Sequence, residues 1–434
     1  MEVKGKKFLV LGLGKSGLCA AQLLAKRGAI VKVSESLTSN EVIRRKKDLY
    51  DKYGVLSEIG GHTKMFCKDA GTVIVSPGID MNLIYTAGIV DKSTEVLGEM
   101  ELGYRFAKNA PIIAITGTNG KSTVTELIGK IFSLSGRHTV VCGNIGNPLC
   151  GEVDVITEKS VIVLEVSSFH LETIKYFRPH IAILLNVTED HYERHGDMAT
   201  YKFYKFKIFE NQTQDDWAVL HTDLKNEALT EKIKSKIVFY DAASQNELKL
   251  DEAALPIKGI HNLDNIACVI KIARIMGVDL DVVKRGIETF KGLDHRFETV
   301  ASYKGIDFID DSKATNIDAT KRALESVDKK VVLIAGGKDK GGDYRTIKNL
   351  IREKVKVMVL IGEAKQKIKE AFSEGVPVVF AKDMREAVDL SFSKASAGDI
   401  VLLSPMCSSF DMYTSYKERG NIFQQEVKKI LGNK

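Results

Sequence analysis

The stretch Pro111–Phe132, PIIAITGTNGKSTVTELIGKIF, decides the fold. It begins as an apolar, β-branched run, passes through Gly-Thr-Asn-Gly-Lys-Ser and continues with apolar residues at helical spacing. Strand, tight turn and helix in that order bring backbone N–H groups and a helix N-terminus to one point, where phosphate can sit. Lys121 adds positive charge, and the Ser122 hydroxyl can reach Mg²⁺. The turn is not a strict G-x-x-x-x-G-K-[ST] match, because Ile115 stands at the first glycine position. ATP is the expected occupant, held across Gly117, Thr118, Asn119, Gly120, Lys121, Ser122 and Thr123.

Upstream, FLVLGLGKSGLCAAQLL (residues 8–24) repeats the pattern. Gly12, Gly14 and Gly17 spell G-x-G-x-x-G after a strand, and Glu35 ends the next strand, where a ribose-binding acid would lie. This turn admits a dinucleotide, another nucleotide diphosphate, or tight packing alone. The turn VSPGI (75–79) reads as an ordinary strand-to-helix connection.

Outward from these turns, apolar runs alternate with helix-length segments: KFLVLG, IVKVSE, TVIVSPG, IIAITG, TVVCG, VIVLEVSS, IAILLNVT, IDFIDDS, VVLIAGG, VMVLIG and DIVLLSP. That rhythm predicts α/β domains with largely parallel sheets covered on both faces. Changes of rhythm near Gly98 and Gly292 predict three domains, 1–98, 99–292 and 293–434. The composition, 44% hydrophobic and 28% charged over 434 residues, supplies ample core. The net charge of +6 is modest and no dense Lys/Arg block appears, so a nucleic-acid partner is not expected. The six cysteines are scattered without a Cys-x-x-Cys pair, which predicts reduced, buried thiols. With neither a signal peptide nor an apolar run of about 18 residues, a cytoplasmic protein without a membrane span is the expectation.

Other polar groups gather at predicted strand ends. Glu165 ends VIVLEVSS, and Glu189, Asp190 and His191 follow IAILLNVT. Open α/β sheets bind ligands at that edge, and oxygen ligands there suit Mg²⁺. A lone histidine in such a loop is as readily incidental. The run YKFYKFKIF (201–209) reads as a solvated helix face with Tyr201, Phe206 and Phe209 packing inward. DDSKATN (310–316), AGGKDKGGDY and LLSPMCSSFDMYTSYKERGNIF each place a polar turn after a strand. N-capping explains one such turn well and three less well.

Together, GTNGKST, EVSSFHLE, NVTEDH, HNLDNIA, HRFE, DSKATN and LSPMCSSFDMYTSYKERGNIF resemble the ATP-dependent Mur ligases of peptidoglycan synthesis, over almost the whole chain. DSKATN and the LSP-x-C-x-S segment resemble the branch that adds D-glutamate. Sister Mur ligases and folylpolyglutamate synthases share the phosphate loop and are the alternatives. The resemblance implies a Rossmann-like first domain, a central P-loop ATPase-like domain and a Rossmann-like C-terminal domain that closes over ATP. It implies UDP-N-acetylmuramoyl-L-alanine, D-glutamate and ATP as substrates, two Mg²⁺ ions, an acyl-phosphate intermediate and a monomer. Gly14, Lys15, Ser16, Glu35, Ser36 and Gly78 would face the uridine diphosphate, and Asn144 and Ser167 the muramoyl group. Asn262, Asn265, Arg296 and Asp311 would hold the adenosine. Lys121, Glu165, His191 and Lys205 would serve catalysis, with Ser122, Glu165, His191 and a carbamylated Lys205 at the metals. Lys313, Thr315, Lys340 and Ser409 would receive D-glutamate, with Tyr416 lining its pocket. Lys15, Leu37, His170 and Tyr416 depart from the family's usual residues.

Overall fold

The computed structural model describes residues 1–432 except 108, 249, 251–254, 256, 258 and 373–374. Three α/β domains follow one another, each on its own sheet. The first sheet holds β1 (Lys7–Leu11), β2 (Ile30–Glu35), β3 (Leu56–Ile59), β4 (Thr72–Val75) and β5 (Glu95–Gly98). Their order is β3-β2-β1-β4-β5, and all pairings are parallel. β1 lies between β2 and β4, so connections diverge at its carboxyl end and open a crevice there. The helix Lys15–Lys26 starts at that crevice and buries Gly17, Ala20, Ala21, Leu23 and Leu24.

The second sheet holds β6 (Ile112–Thr116), β7 (His138–Gly143), β8 (Ser160–Glu165), β9 (Ile181–Leu184), β10 (Trp217–His221) and β11 (Lys236–Tyr240). Its order is β11-β10-β9-β6-β8-β7, again all parallel. Every residue of β6 and β8 is buried, as expected of strands with helices on both faces.

The third sheet holds β12 (Glu298–Tyr303), β13 (Ile306–Asp310), β14 (Val331–Gly336), β15 (Val355–Ile361), β16 (Val378–Phe380) and β17 (Ile400–Leu403). Its order is β12-β13-β17-β14-β15-β16, with β12 antiparallel at one edge and the other pairings parallel. β13, β17 and β14 are neighbours, so the three polar turns noted in the sequence leave one stretch of sheet edge.

By contact, 1–186, 202–241 and 267–286 form one compact unit carrying the first two sheets, and 187–201, 242–266 and 287–434 form a second carrying the third. All six cysteines are free thiols; Cys19 is half-buried and the other five are buried. Among the described residues no helix is long and apolar enough to cross a membrane.

Candidate active site

The second sheet carries the phosphate loop. After β6 the chain turns through Gly117 and Gly120, at φ of 152° and 86°, where a Cβ is disfavoured. Gly120 precedes the helix Lys121–Leu134 and no side chain caps it, so the positive end of the helix dipole lies at the turn. Lys121 bends back, its Nζ donating to Gly117 O and Thr118 O, both at 2.9 Å. Lys205, on the helix Met198–Phe206, donates to the same Gly117 carbonyl at 2.8 Å. Two ammonium groups thus meet at one carbonyl, and an anion bound there would relieve their repulsion. Tyr201, Phe206 and Phe209 are buried as expected, but the solvated-face reading fails for Lys205, which is 1% exposed. The loop that covers it is 88 residues away in sequence.

Asn186, just past β9, straps the loop from the neighbouring strand. Its carbonyl accepts Thr118 N–H at 3.0 Å. Its Oδ1 accepts Asn119 N–H at 2.9 Å, and its Nδ2 donates to Asn119 O at 3.1 Å. Glu165, 2% exposed, stands beside Ile115 in the β6–β8 register. Its Oε1 accepts from Asn144 Nδ2 at 2.8 Å, and its carbonyl accepts Asn144 N–H at 2.9 Å. Asn144 and Glu165 therefore form one polar pair at the sheet edge. Ser167 caps the short helix Ser168–Leu171 in a reciprocal box with His170. Ser167 N–H donates to His170 Nδ1 at 3.2 Å, so this nitrogen accepts and the ring proton lies on Nε2. Burial, against the charge of Glu165, holds this histidine down to about 4 and neutral at pH 7.

At the first sheet, Gly17 is fixed by packing: a Cβ there would lie 1.9 Å from Gly12 O. Glu35 ends β2, but its carboxylate is engaged by the turns around it. Oε2 accepts Leu13 N–H at 2.6 Å, and Oε1 accepts Leu37 N–H at 2.9 Å and the Ser36 hydroxyl at 3.2 Å. Lys15 Nζ donates to Gly146 O at 2.7 Å, beyond the end of β7. Gly14 and Gly78 face open space, with nothing within 4 Å of an added Cβ.

In the second unit, Lys313 lies over the Tyr416 ring, Nζ 3.9 Å from its centroid, in a cation–π contact. Ser312 Oγ donates to Tyr416 O at 2.8 Å. Arg419, 1% exposed, ties the turns together. Its guanidinium donates to Ser312 Oγ at 3.0 Å, Ser312 O at 2.8 Å, Cys407 O at 3.1 Å and Ser408 O at 3.3 Å. Lys338 and Ser408 pair through their backbones, so the turn after β14 joins the one after β17. Ser409 is buried in this assembly. Asp311 accepts from Ser404 Oγ at 3.0 Å and from Phe297 N–H at 3.2 Å. Burial outweighs these bonds and the nearby Arg296, pushing Asp311 up to about 7. Asn265 Nδ2 donates to Asn262 Oδ1 at 3.1 Å, joining those two side chains.

A cavity of about 210 Å³ in the same unit is lined by Asp190, Tyr192, Asn316, Lys340 and Tyr344, among others. Of the residues expected to receive D-glutamate, Lys340 lines it; Lys313 and Tyr416 meet elsewhere in the unit. Asp190 Oδ1 pairs with Lys340 Nζ at 3.2 Å, and its Oδ2 accepts from Asn316 Nδ2 at 3.1 Å. Burial opposes the charge of Asp190, but Lys340, His191 and the two hydrogen bonds override it and hold the acid down to about 2. His191 has φ of 55° and its Nε2 lies 3.7 Å from Asp190 Oδ2. Asn186 and Arg419 are the residues that sequence reasoning missed. Both lie within quoted motifs. Arg419 had a readable signal: buried Phe423 and Val427 follow it at helical spacing, which puts the arginine on the inner face.

Family models match the chain in three consecutive blocks. Residues 6–98 match the Mur ligase MurD-like N-terminal domain, 115–273 the Mur ligase middle domain, and 295–407 the Mur ligase glutamate ligase domain. A UDP-N-acetylmuramoylalanine–D-glutamate ligase from Geotalea daltonii is 40% identical, covering 100% of this chain and 99% of its own length. One of the same name from Clostridioides difficile is 38% identical, covering 99% of this chain and 100% of itself. Among solved structures, the UDP-N-acetylmuramate–alanine ligase of Thermotoga maritima superposes with a TM-score of 0.60 at 19% identity, over 99% of this chain and 100% of that one. The MurF ligase of Thermotoga maritima, in complex with ADP, gives a TM-score of 0.60 at 17% identity, over 99% of this chain and 96% of that one. These two share the fold.

Proposed function

The chain belongs to the Mur ligase family, and from that premise we infer that it joins D-glutamate to UDP-N-acetylmuramoyl-L-alanine at the expense of ATP, a step of peptidoglycan synthesis. The observation that carries this reading is full-length likeness, at 36–40% identity, to ligases of that name. Residues 1–98 bind the UDP end of the substrate, 99–292 bind ATP, and 293–434 bring in the amino acid. The reaction belongs in the cytoplasm and needs a single chain.

The γ-phosphoryl group passes from ATP to the substrate's terminal carboxylate; the amine of D-glutamate then attacks the acyl phosphate and phosphate leaves. Two anions brought to about 3 Å repel by several kcal/mol unless cations intervene, so the work is positioning and charge neutralisation. Lys121, with the N–H groups at the start of its helix, supplies that; the N–H groups of Thr118 and Asn119 are taken by Asn186. Asn262, Asn265, Arg296 and Asp311 are assigned to the adenosine, and Gly14, Lys15, Ser16, Ser36 and Gly78 to the uridine diphosphate. Glu35 supports that second site by holding Leu13 N–H and Leu37 N–H in place. Mg²⁺ fits the donor set, because the Ser122 hydroxyl, at the start of the helix that follows β6, and the buried Glu165 carboxylate, at the end of neighbouring β8, are hard oxygen ligands. His191 and a carbamylated Lys205 complete the proposed ligands of two ions. When bound, the metal would neutralise charge on the transferring group.

D-Glutamate brings two carboxylates, which Lys313, Lys340, Thr315 and Ser409 can answer, beside Tyr416. Lys340 is partnered by Asp190, which orients its ammonium. Mass spectrometry of products from UDP-N-acetylmuramoyl-L-alanine, ATP and a panel of amino acids tests the reading. D-Glutamate should give the dominant amide, and Lys340→Ala should weaken its use far more than that of ATP. Comparable turnover with L-lysine or meso-diaminopimelate would overturn the acceptor assignment.

A further inference from the structure

We propose that Asn186 is a positioning residue for nucleotide binding, whose side-chain amide holds the peptide of Asn119 in the orientation that shapes the phosphate loop. The inference rests on the reading of residues 117–123 as the ATP phosphate site.

A carboxamide presents a donor and an acceptor in one plane, the same pair that a backbone segment offers. Asn186 spends both on one residue: Oδ1 receives Asn119 N–H and Nδ2 gives to Asn119 O. One hydrogen bond would fix the position of the loop and leave it free to rotate. Two bonds, one on each side of the Asn119 Cα, fix the rotation as well. The carbonyl of Asn186 adds a third bond, from Thr118 N–H. The amides of residues 118 and 119 are thus turned toward the end of β9, while the carbonyls of 117 and 118 are turned toward Lys121. The loop also packs closely on this support: a Cβ on Gly117 would lie 3.0 Å from Leu185 Cβ and 3.3 Å from Asn186 N. With such contact, a change in the strap is transmitted to the loop. Asn186 itself need not touch the phosphates for this effect; a small misplacement of the loop weakens every bond the loop makes there.

Aspartate is the informative replacement. It keeps an acceptor for Asn119 N–H, loses the donor to Asn119 O, and sets a carboxylate oxygen against that carbonyl. Protonation restores an O–H donor, so the defect should be pH-dependent, which loss of packing alone would not be. The test measures ADP affinity and UDP-N-acetylmuramoyl-L-alanine affinity of full-length wild type, Asn186→Asp and Asn186→Ala by calorimetry, with melting curves on each. At about pH 8 both variants should bind ADP at least about tenfold more weakly, while the UDP substrate binds within about twofold of wild type. As pH falls toward about 4.5, approaching the ordinary aspartate range, the aspartate variant should begin to recover relative to wild type and the alanine variant should not. Asn186→Asp binding ADP like wild type at the higher pH would overturn the proposal. Equal loss of both ligands would also overturn it, leaving Asn186 as a general structural residue. If the wild type itself bound no ADP, the nucleotide reading would fall and this inference with it.

Discussion

Lys205 is removed from water and set against a carbonyl that already receives another lysine. Two ammonium groups at one acceptor repel, and a fully buried cation loses its hydration. Addition of CO₂ to the neutral amine would resolve both difficulties: an N–C bond would form, the nitrogen would lose a proton, and the residue would become an anion with two oxygens. Such an anion would suit a hard cation. The expected outcome of Lys205→Ala is loss of ligation by about a hundredfold or more, partly restored by acetate as a detached carboxylate. Wild-type-like activity of the variant, with no added mass on Lys205 in the parent protein, would remove the residue from the mechanism. From sequence, the lysine stands in YKFYKFKIF, where alternating charge and aromatic residues suggest a solvated face. Burial by a distant loop leaves no local trace. The motif letters at 117–123 are legible because strand, turn and helix are contiguous there. The strap from Asn186 and the bonds from Arg419 to Ser312 join segments far apart in the chain, so the identity of the partners leaves no local pattern.

Among single elements, the helix Glu99–Phe106 buries two carboxylates and treats them differently. Glu101 accepts from the backbone N–H groups of Lys175, Tyr176 and Phe177 and from the side chain of Arg105. Glu99 accepts Cys150 N–H at 2.6 Å, and burial still pushes it up to about 7 from 4.5. A raised carboxyl pKa means that the folded chain binds more protons than the unfolded chain between those two values. Stability should therefore fall as pH rises through that window, by about 3 kcal/mol in full above it. Glu99→Gln keeps an acceptor and does not titrate. Its melting temperature relative to wild type should climb from about pH 4.5 to pH 7.5 and then level off; a constant difference would contradict the assignment. The strands show the same dependence on surroundings. IIAIT and VVLIAG read clearly because both faces are covered. LSEI, EVLG, KIVFY, ETVASY and VVF are obscure, and all five lie on sheet edges, where one side needs no apolar cover. WAVLH is the interior exception; its short buried centre is flanked by half-covered Trp217 and His221.

At the scale of the molecule, two Gly-rich turns, each opening a helix, stand on separate sheets, one after β1 and one after β6. The same strand–turn–helix device can thus hold the diphosphate that identifies the substrate and the triphosphate that is consumed. Three α/β domains were legible in the alternation of strands and helices, since each sheet is built from near-consecutive chain. The contact grouping of 187–201 and 242–266 with the third sheet was not, because it depends on which long connections pack where. Separate turns make separable losses. Lys121 bonds Gly117 O and Thr118 O within its own loop, so its removal should leave the turn after β1 undisturbed. Lys121→Ala should lower ATP turnover by about a thousandfold, the scale on which a preorganised charge acts on a transferring phosphoryl group. Affinity for UDP-N-acetylmuramoyl-L-alanine, measured by calorimetry without ATP, should stay within about twofold of wild type, because the charge lost belongs to the other site. An unchanged melting temperature would exclude unfolding as the cause. If both affinities fell together in a folded variant, the two turns would serve one ligand, and the division of labour between the first two sheets would have to be abandoned.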